Sequence, residues 1–305
     1  MSTTETASAT IDDPLGRPQP SLLTRLRRIR GWPAGLMYIT IFVLFVGVGI
    51  FAPVLAPQDP NHQELVERLQ PPAWQEDGSW DRPLGTDDLG RDVLSRMIYG
   101  TQIALLVVAI GIPITMALGT TLGLLAGFRG GFADKVLMRL VDLQLAFPAI
   151  LFAVLIAAIF GPSLRNVILV IVIFGSAAYA RVVRGEVLSL RERDFVSAAR
   201  SIGASEKRIV ARHILPNLVN TIVVLMTLEV AVVIFIEAAL SFLGVGTPVT
   251  QPSWGQMISE GRDYIQIAWW LPALPGLAIV ALSLVANLAG DWLRDVLDPR
   301  RRNVR

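Results

Sequence analysis

Six runs of fifteen to twenty-five mostly apolar residues recur along this 305-residue chain, and they constrain its fold more than any other feature. A helix of about 20 apolar residues covers the ~30 Å hydrocarbon core of a bilayer. A water-soluble chain of this length would instead show amphipathic stripes of period 3.6. The runs fall at about 35–55, 103–127, 136–160, 166–180, 220–243 and 269–289. Each backbone amide must find its partner within the span, so helices are expected. The fold class that follows is all-α, a polytopic membrane protein with six transmembrane helices. A hydrophobic share of 53% and a mean hydropathy of +0.55 agree with that reading.

The polar segments divide the chain further. Residues 1–34 form an N-terminal tail: 1–20 are rich in Ser, Thr and Pro and are expected to be disordered. A basic stretch carrying Arg25, Arg27, Arg28 and Arg30 follows, with the character of an interfacial segment. A cleaved leader shares this basic-then-apolar order, but the first apolar run is too long and begins too deep for one. Residues 35–290 make the transmembrane domain, with a polar loop at 56–101 and a basic region at 181–216, and 291–305 form a short basic tail.

Orientation follows from Lys and Arg, which stay on the cytoplasmic side of a span. With the N-terminus inside, the inside segments hold 20 of the 27 basic residues and the outside segments 6. Inversion of the chain would reverse that bias, so both termini are expected in the cytoplasm. The same basic residues give a pI near 9.3. Their clustering beside apolar runs argues for a lipid bilayer as the partner and against nucleic acid.

Several residues inside the runs carry meaning. Gly111, Thr115, Gly119, Gly123 and Gly127 are spaced four apart. This makes a smooth stripe on which a second helix can pack closely. Pro113 and Pro148 are expected to kink their helices. Arg139 and Asp142 are three apart and are expected to pair on one face. Glu229 and Glu237 are eight apart, and either line a water-filled path or satisfy neighbouring groups.

The chemistry of an enzyme is not visible. A nucleotide-binding loop needs Gly-Lys before Ser or Thr, but Lys135 follows Asp134 and Lys207 follows Glu206. The two histidines, His62 and His213, are far apart, and no metal-ligand cluster or Gly-x-Ser-x-Gly elbow occurs. Cysteine is absent, which removes thiolate chemistry. No catalytic residue, metal or cofactor is expected in this chain, and energy for any active transport must come from elsewhere.

The basic region holds the most informative stretch, 194–217. Gly203 suits the left-handed end of a first helix, Ser205 can cap a second with Glu206 in its first turn, and Pro216 is expected to stop it before the membrane. The result is a short elbow with a basic face. Ala198, Ala199, Gly203, Leu215 and Pro216 resemble the coupling motif of binding-protein-dependent ATP-binding-cassette permeases: Glu-Ala-Ala, three residues, Gly, then a spaced Leu-Pro. Ser197 stands where that family usually has Glu.

Two further stretches narrow the resemblance. Residues 83–100, from Pro83 to Gly100, precede the second run, and 237–246 with Pro252, Ser253, Trp254 and Gly255 follow the fifth. With the 290–300 stretch they are similar to the C-type permease of dipeptide, oligopeptide and nickel importers. Read from the residues alone, Thr86, Asp87 and Asp88 should cap and charge a helix along which Arg91, Asp92 and Arg96 can pair. A calcium site from Asp87, Asp88 and Asp92 would not have the spacing of a calcium loop.

The resemblance implies a permease subunit of an ATP-driven importer of short peptides in the bacterial inner membrane. A homologous B-type permease would complete the path. Partner ATPase subunits would bind ATP and Mg and dock on Ala198, Ala199, Gly203, Ala204, Ser205, Arg208, Leu215 and Pro216, and an extracytoplasmic peptide-binding protein would deliver cargo. A nickel or nickel-chelate importer is the alternative within the family. A secondary transporter or a non-transporting membrane scaffold is the alternative outside it.

Overall fold

The computed structural model describes residues 32–297. The expectations for the 1–20 tail, the basic segment before Gly31 and the last residues of the C-terminal tail lie outside them. The described residues are helical apart from loops, with no strand among them and one isolated bridge between Thr86 and Asp92.

The helices are α1 Trp32–Ile50, a short α2 Ala52–Leu55, α3 Val93–Arg129, α4 Gly131–Ala146, α5 Ala149–Phe160, α6 Leu164–Arg191, α7 Asp194–Ser201, α8 Glu206–Ile209, α9 Leu215–Phe242, α10 Trp254–Gly261 and α11 Trp270–Leu297. Five helical stretches are long and apolar enough to cross a membrane, and six crossings result if the bent pair α4–α5 makes one span.

The helices outrun the apolar runs, for physical reasons. α3 begins ten residues before 103, because the Asp92 side chain caps it by accepting from the Ser95 amide at 2.8 Å. The cap is therefore Asp92 and not Thr86, Asp87 or Asp88, which lie in the preceding loop. Its 37 residues span ~56 Å, well beyond the hydrocarbon core. α6 likewise continues past 180 to Arg191. Hydropathy marks only the lipid-facing middle of each.

The expected third span is broken. α4 and α5 meet at Phe147 and Pro148 with an 83° bend. Pro148 precedes α5, where its missing N–H and its effect on Phe147 suit a helix boundary. Arg139 and Asp142 do not pair. Asp142 accepts from Arg181 of α6 at 2.7 Å, while Asp134 accepts twice from Arg184 at 2.5 and 2.7 Å. α4 is thus fastened to α6 by ion pairs between helices.

The small-residue stripe of α3 lies against α6. A Cβ on Gly119 would sit 2.5 Å from Tyr179 Cβ and 2.7 Å from the Ser176 carbonyl oxygen. One on Gly123 would sit 2.5 Å from the Ala180 carbonyl oxygen, and one on Gly127 2.9 Å from Val187 Cβ. Thr115 fits the same row, its methyl group facing Gly175 of α6. Gly111 is looser, with Ile171 Cγ2 at 3.6 Å. Close backbone approach of this kind adds dispersion contact where lipid supplies no hydrophobic drive between helices.

The two ends of the bundle differ. At one end α7, α8 and the start of α9 close over the ends of α3 and α6; this is the elbow end. At the other, the 56–92 loop and α10 pack over the start of α3 and the start of α11, with Val93, Trp254, Met257, Trp270 and Leu271 in one buried cluster. This is the cap end.

Candidate functional site

The elbow is built on a helix stop written in the sequence. α7 ends at Ser201 with Ile202 at its C-cap, and Gly203 follows with φ +79°. The Gly203 amide donates to the Arg200 carbonyl at 2.9 Å and the Ala204 amide to the Ala199 carbonyl at 3.0 Å. This pair of bonds is the Schellman stop, and it needs a left-handed residue that glycine adopts without strain. Ser205 then occupies the N-cap position of α8, but its side chain makes no capping bond.

Pro216 does not stop the second helix. α8 passes through a π-helical turn, Val210–Ile214, and enters α9, where Pro216 lies in the first turn. The wider turn, with the Leu215 amide bonded to the Val210 carbonyl, lets the chain continue where proline lacks an N–H and crowds the carbonyl four residues back.

Underneath, the elbow has its own core. Val196 and Ala199 of α7, Ile209, and Ile214 and Leu218 beyond it pack with Val183, Val187 and Leu190 of α6. Leu124 and Phe128 of α3 pack against this cluster. Above it, Ala198, Gly203, Ser205, Arg208, Leu215 and Pro216 are exposed, and Ala204 is half-buried. Ile202, at the tip, is 86% exposed. The segment carries Arg200, Lys207, Arg208 and Arg212 against Asp194 and Glu206. A rigid turn with an apolar tip and a basic surround is suited to insertion into an acidic-rimmed groove of another protein. Ser197, at the position of the family glutamate, is exposed, and its carbonyl accepts from the Ser201 hydroxyl at 3.1 Å.

At the cap end, residues from three distant segments converge. Glu260 of α10 accepts from Arg91 Nη2 at 2.8 Å and from Arg96 Nη2 at 2.7 Å, and its other oxygen accepts from Gln256 at 2.9 Å. Asp87 accepts from Arg91 Nε at 2.6 Å and lies 3.6 Å from Arg96 Nε. Arg91 and Arg96 therefore reach across to α10, and neither pairs with Asp92. Asp87 also accepts from the Leu89 and Arg91 backbone amides, and one oxygen of Asp92 accepts from the Ser95 amide and hydroxyl. Burial, followed by the nearby Asp87 charge, pushes the Asp88 carboxyl above its ordinary range, against the opposing pull of Arg91. Trp254 fills the same region: its indole N–H donates to the Met97 carbonyl at 3.0 Å, and a Cβ on Gly100 would lie 2.5 Å from its ring.

Sequence reasoning singled out the two stretches that meet here but missed Glu260, a lone acid in a loop-like segment with no spacing to tie it to Arg91 or Arg96. The two intramembrane acids also part company. Glu237 is 1% exposed and accepts from the Ser241 hydroxyl at 2.7 Å, with Ser253 of the α10 cap within bonding reach. It is a structural tie between α9 and α10. Glu229 is half-buried beside Tyr179 and Gly175 of α6.

Residues 119–303 match the family described as the binding-protein-dependent transport system inner membrane component. Residues 22–72 match the N-terminal TM domain of oligopeptide transport permease C. The di/tripeptide transport system permease protein DppC of Pseudomonas aeruginosa is 43% identical over 274 residues, 90% of this chain and 89% of its own length. The dipeptide transport system permease protein DppC of Haemophilus influenzae is 41% identical, over 89% of this chain and 91% of its own. Among solved structures, the inward-facing MetNI methionine ABC transporter shares the fold with a TM-score of 0.55, at 19% identity, over 66% of this chain and 95% of that one. The chain belongs to the inner-membrane components of binding-protein-dependent transport systems, as a C-type permease.

Proposed function

We propose that this chain is half of the translocation path of an importer for short peptides, paired with a homologous B-type permease. The relatives named as di- and tripeptide permeases support the cargo. The observation that carries the mechanism is the elbow, a preorganised turn on its own core with Ile202 and Gly203 at its tip. Two partner ATPase subunits, which bind ATP and Mg, receive the elbows in surface grooves. Their closure draws the elbows together and rocks the helices toward an outward-open path, and hydrolysis resets them.

The excess of Lys and Arg at the elbow end supports a cytoplasmic elbow with both termini on the same side. The cap end then faces outward in the bacterial inner membrane, where an extracytoplasmic peptide-binding protein delivers cargo. This chain contributes no catalytic group, and ATP hydrolysis resides in its partners. A secondary transporter or a scaffold would have no use for a docking elbow.

The test is uptake of a labelled di- or tripeptide, with nickel uptake in parallel, in cells lacking the gene and in complemented cells. Peptide uptake is lost without the gene and returns with it. It does not return with a Gly203→Pro copy, because proline cannot adopt positive φ or supply the amide that closes the turn. Unchanged peptide uptake with lost nickel uptake would replace the cargo. Full rescue by Gly203→Pro would remove the coupling role of the elbow.

A further inference from the structure

α4 presents a face that nothing in the described chain covers. Its two acids are engaged, Asp134 by Arg184 and Asp142 by Arg181. Lys135 and Arg139, at i and i+4, are exposed and make no ion pair among the described residues. At 3.6 residues per turn the two lie about 40° apart around the helix, and Phe132, Leu143 and Val136 continue within about a further 60°. Those three are exposed apolar side chains, Phe132 at 82%, and Leu140 extends the strip. The 83° break at Pro148 turns α4 off the line of α5. Its first residues adjoin the elbow end, where a Cβ on Gly130 would lie 3.4 Å from Arg191.

We propose that this face seats an anionic phospholipid, with Lys135 and Arg139 holding headgroup phosphate oxygens and the acyl chains lying along Phe132, Val136, Leu140 and Leu143. The pairing of two free cations with a contiguous apolar strip selects this occupant. A soluble anion would engage the two cations alone, whereas a lipid engages cations and strip at once. Basic residues flanking apolar surface gain most in the leaflet that carries anionic lipid. That leaflet is the cytoplasmic one in the orientation proposed above; the match of headgroup and strip does not depend on it. The bound lipid would brace α4 beside its two ion pairs with α6.

The experiment places the assembled importer in nanodiscs of phosphatidylcholine doped with phosphatidylglycerol, and counts retained lipids by native mass spectrometry. The wild type retains phosphatidylglycerol preferentially. Lys135→Gln with Arg139→Gln lowers that retention by roughly 25-fold, about 5-fold per basic residue, with the subunits still assembled. Lys135→Arg with Arg139→Lys keeps it, and Arg165→Gln at the other end of the bundle leaves it unchanged. Equal retention by the double Gln variant overturns the proposal. So does loss of the second permease from that variant with lipid retention intact, which would assign the face to a protein neighbour. If the double variant fails to assemble, the wild type decides: no preference for phosphatidylglycerol over phosphatidylcholine refutes the site. None of these readouts depends on peptide transport, so a failed cargo assignment would leave the result standing.

Discussion

Glu260 joins α10 to the start of α3 through two arginines, and its removal should be costly in a way that its position in sequence does not suggest. Arg96 is 1% exposed. Without Glu260 its nearest anion is Asp87 at 3.6 Å, already shared with Arg91 at 2.6 Å. Removal of one partner of a buried ion pair costs about 3–5 kcal/mol, chiefly because the other charge stays buried. The Glu260 side chain is 27% exposed and water can partly replace it, so about 2–3 kcal/mol is expected for Glu260→Met. The double change Arg96→Met with Glu260→Met removes both charges and should cost less than the single one, since a packed apolar replacement of an ion pair is often neutral. The assay is equilibrium unfolding of the four proteins of this cycle in mixed micelles, followed by intrinsic tryptophan fluorescence, to which the buried Trp254 and Trp270 contribute. A coupling energy below about 0.5 kcal/mol would refute the reasoning, because distant, independent sites add to within that margin.

Other perturbations test other parts of the structure. Gly123→Val should destabilise the α3–α6 contact by about 1–3 kcal/mol, while Gly111→Ala, with 3.6 Å of room, should be close to neutral; equal effects in the same unfolding assay would remove the close-packed row. Asp88 has a folded-state pKa above its unfolded one, so its contribution is fully present below the unfolded pKa near 3.9 and is lost as pH rises through the folded value. Asp88→Asn should therefore raise stability at pH 7 and remove that part of the pH slope, as read by unfolding midpoints between pH 3 and 7. Gly203→Ala should cost about 1 kcal/mol from positive φ alone, since open space surrounds the site, and partial loss of uptake measures it. Glu237→Ala should cost about 1–3 kcal/mol by stranding the buried Ser241 and Ser253 hydroxyls, and Glu237→Gln markedly less.

The lipid-facing centre of each span was legible in the sequence because burial in hydrocarbon imposes a composition. The ends were not, since residues such as Ser95, Arg96, Arg184 and Arg191 are polar in sequence yet helical in structure. The elbow stop at Gly203 could be read because only a positive φ closes that turn. The fate of Pro216 could not, because a π turn leaves no compositional mark. Arg139 and Asp142 misled for a related reason: spacing along one helix indicates who can meet, but Arg181, 39 residues from Asp142, was brought nearer by tertiary packing. Glu260 was illegible because its partners lie more than 160 residues away.

The π turn at Val210–Ile214 sets the phase between the elbow and the membrane. Ile209, Ile214, Leu218 and Ile222 all face the elbow core, at intervals of five, four and four residues. The interval of five spans the turn, which absorbs one residue and keeps the row continuous. An unbroken α-helix would carry the elbow about 100° around the axis of α9. One residue of slack thus fixes which way Ile202 and the surrounding arginines point. Deletion of a single residue there would leave both helices intact and aim the tip elsewhere.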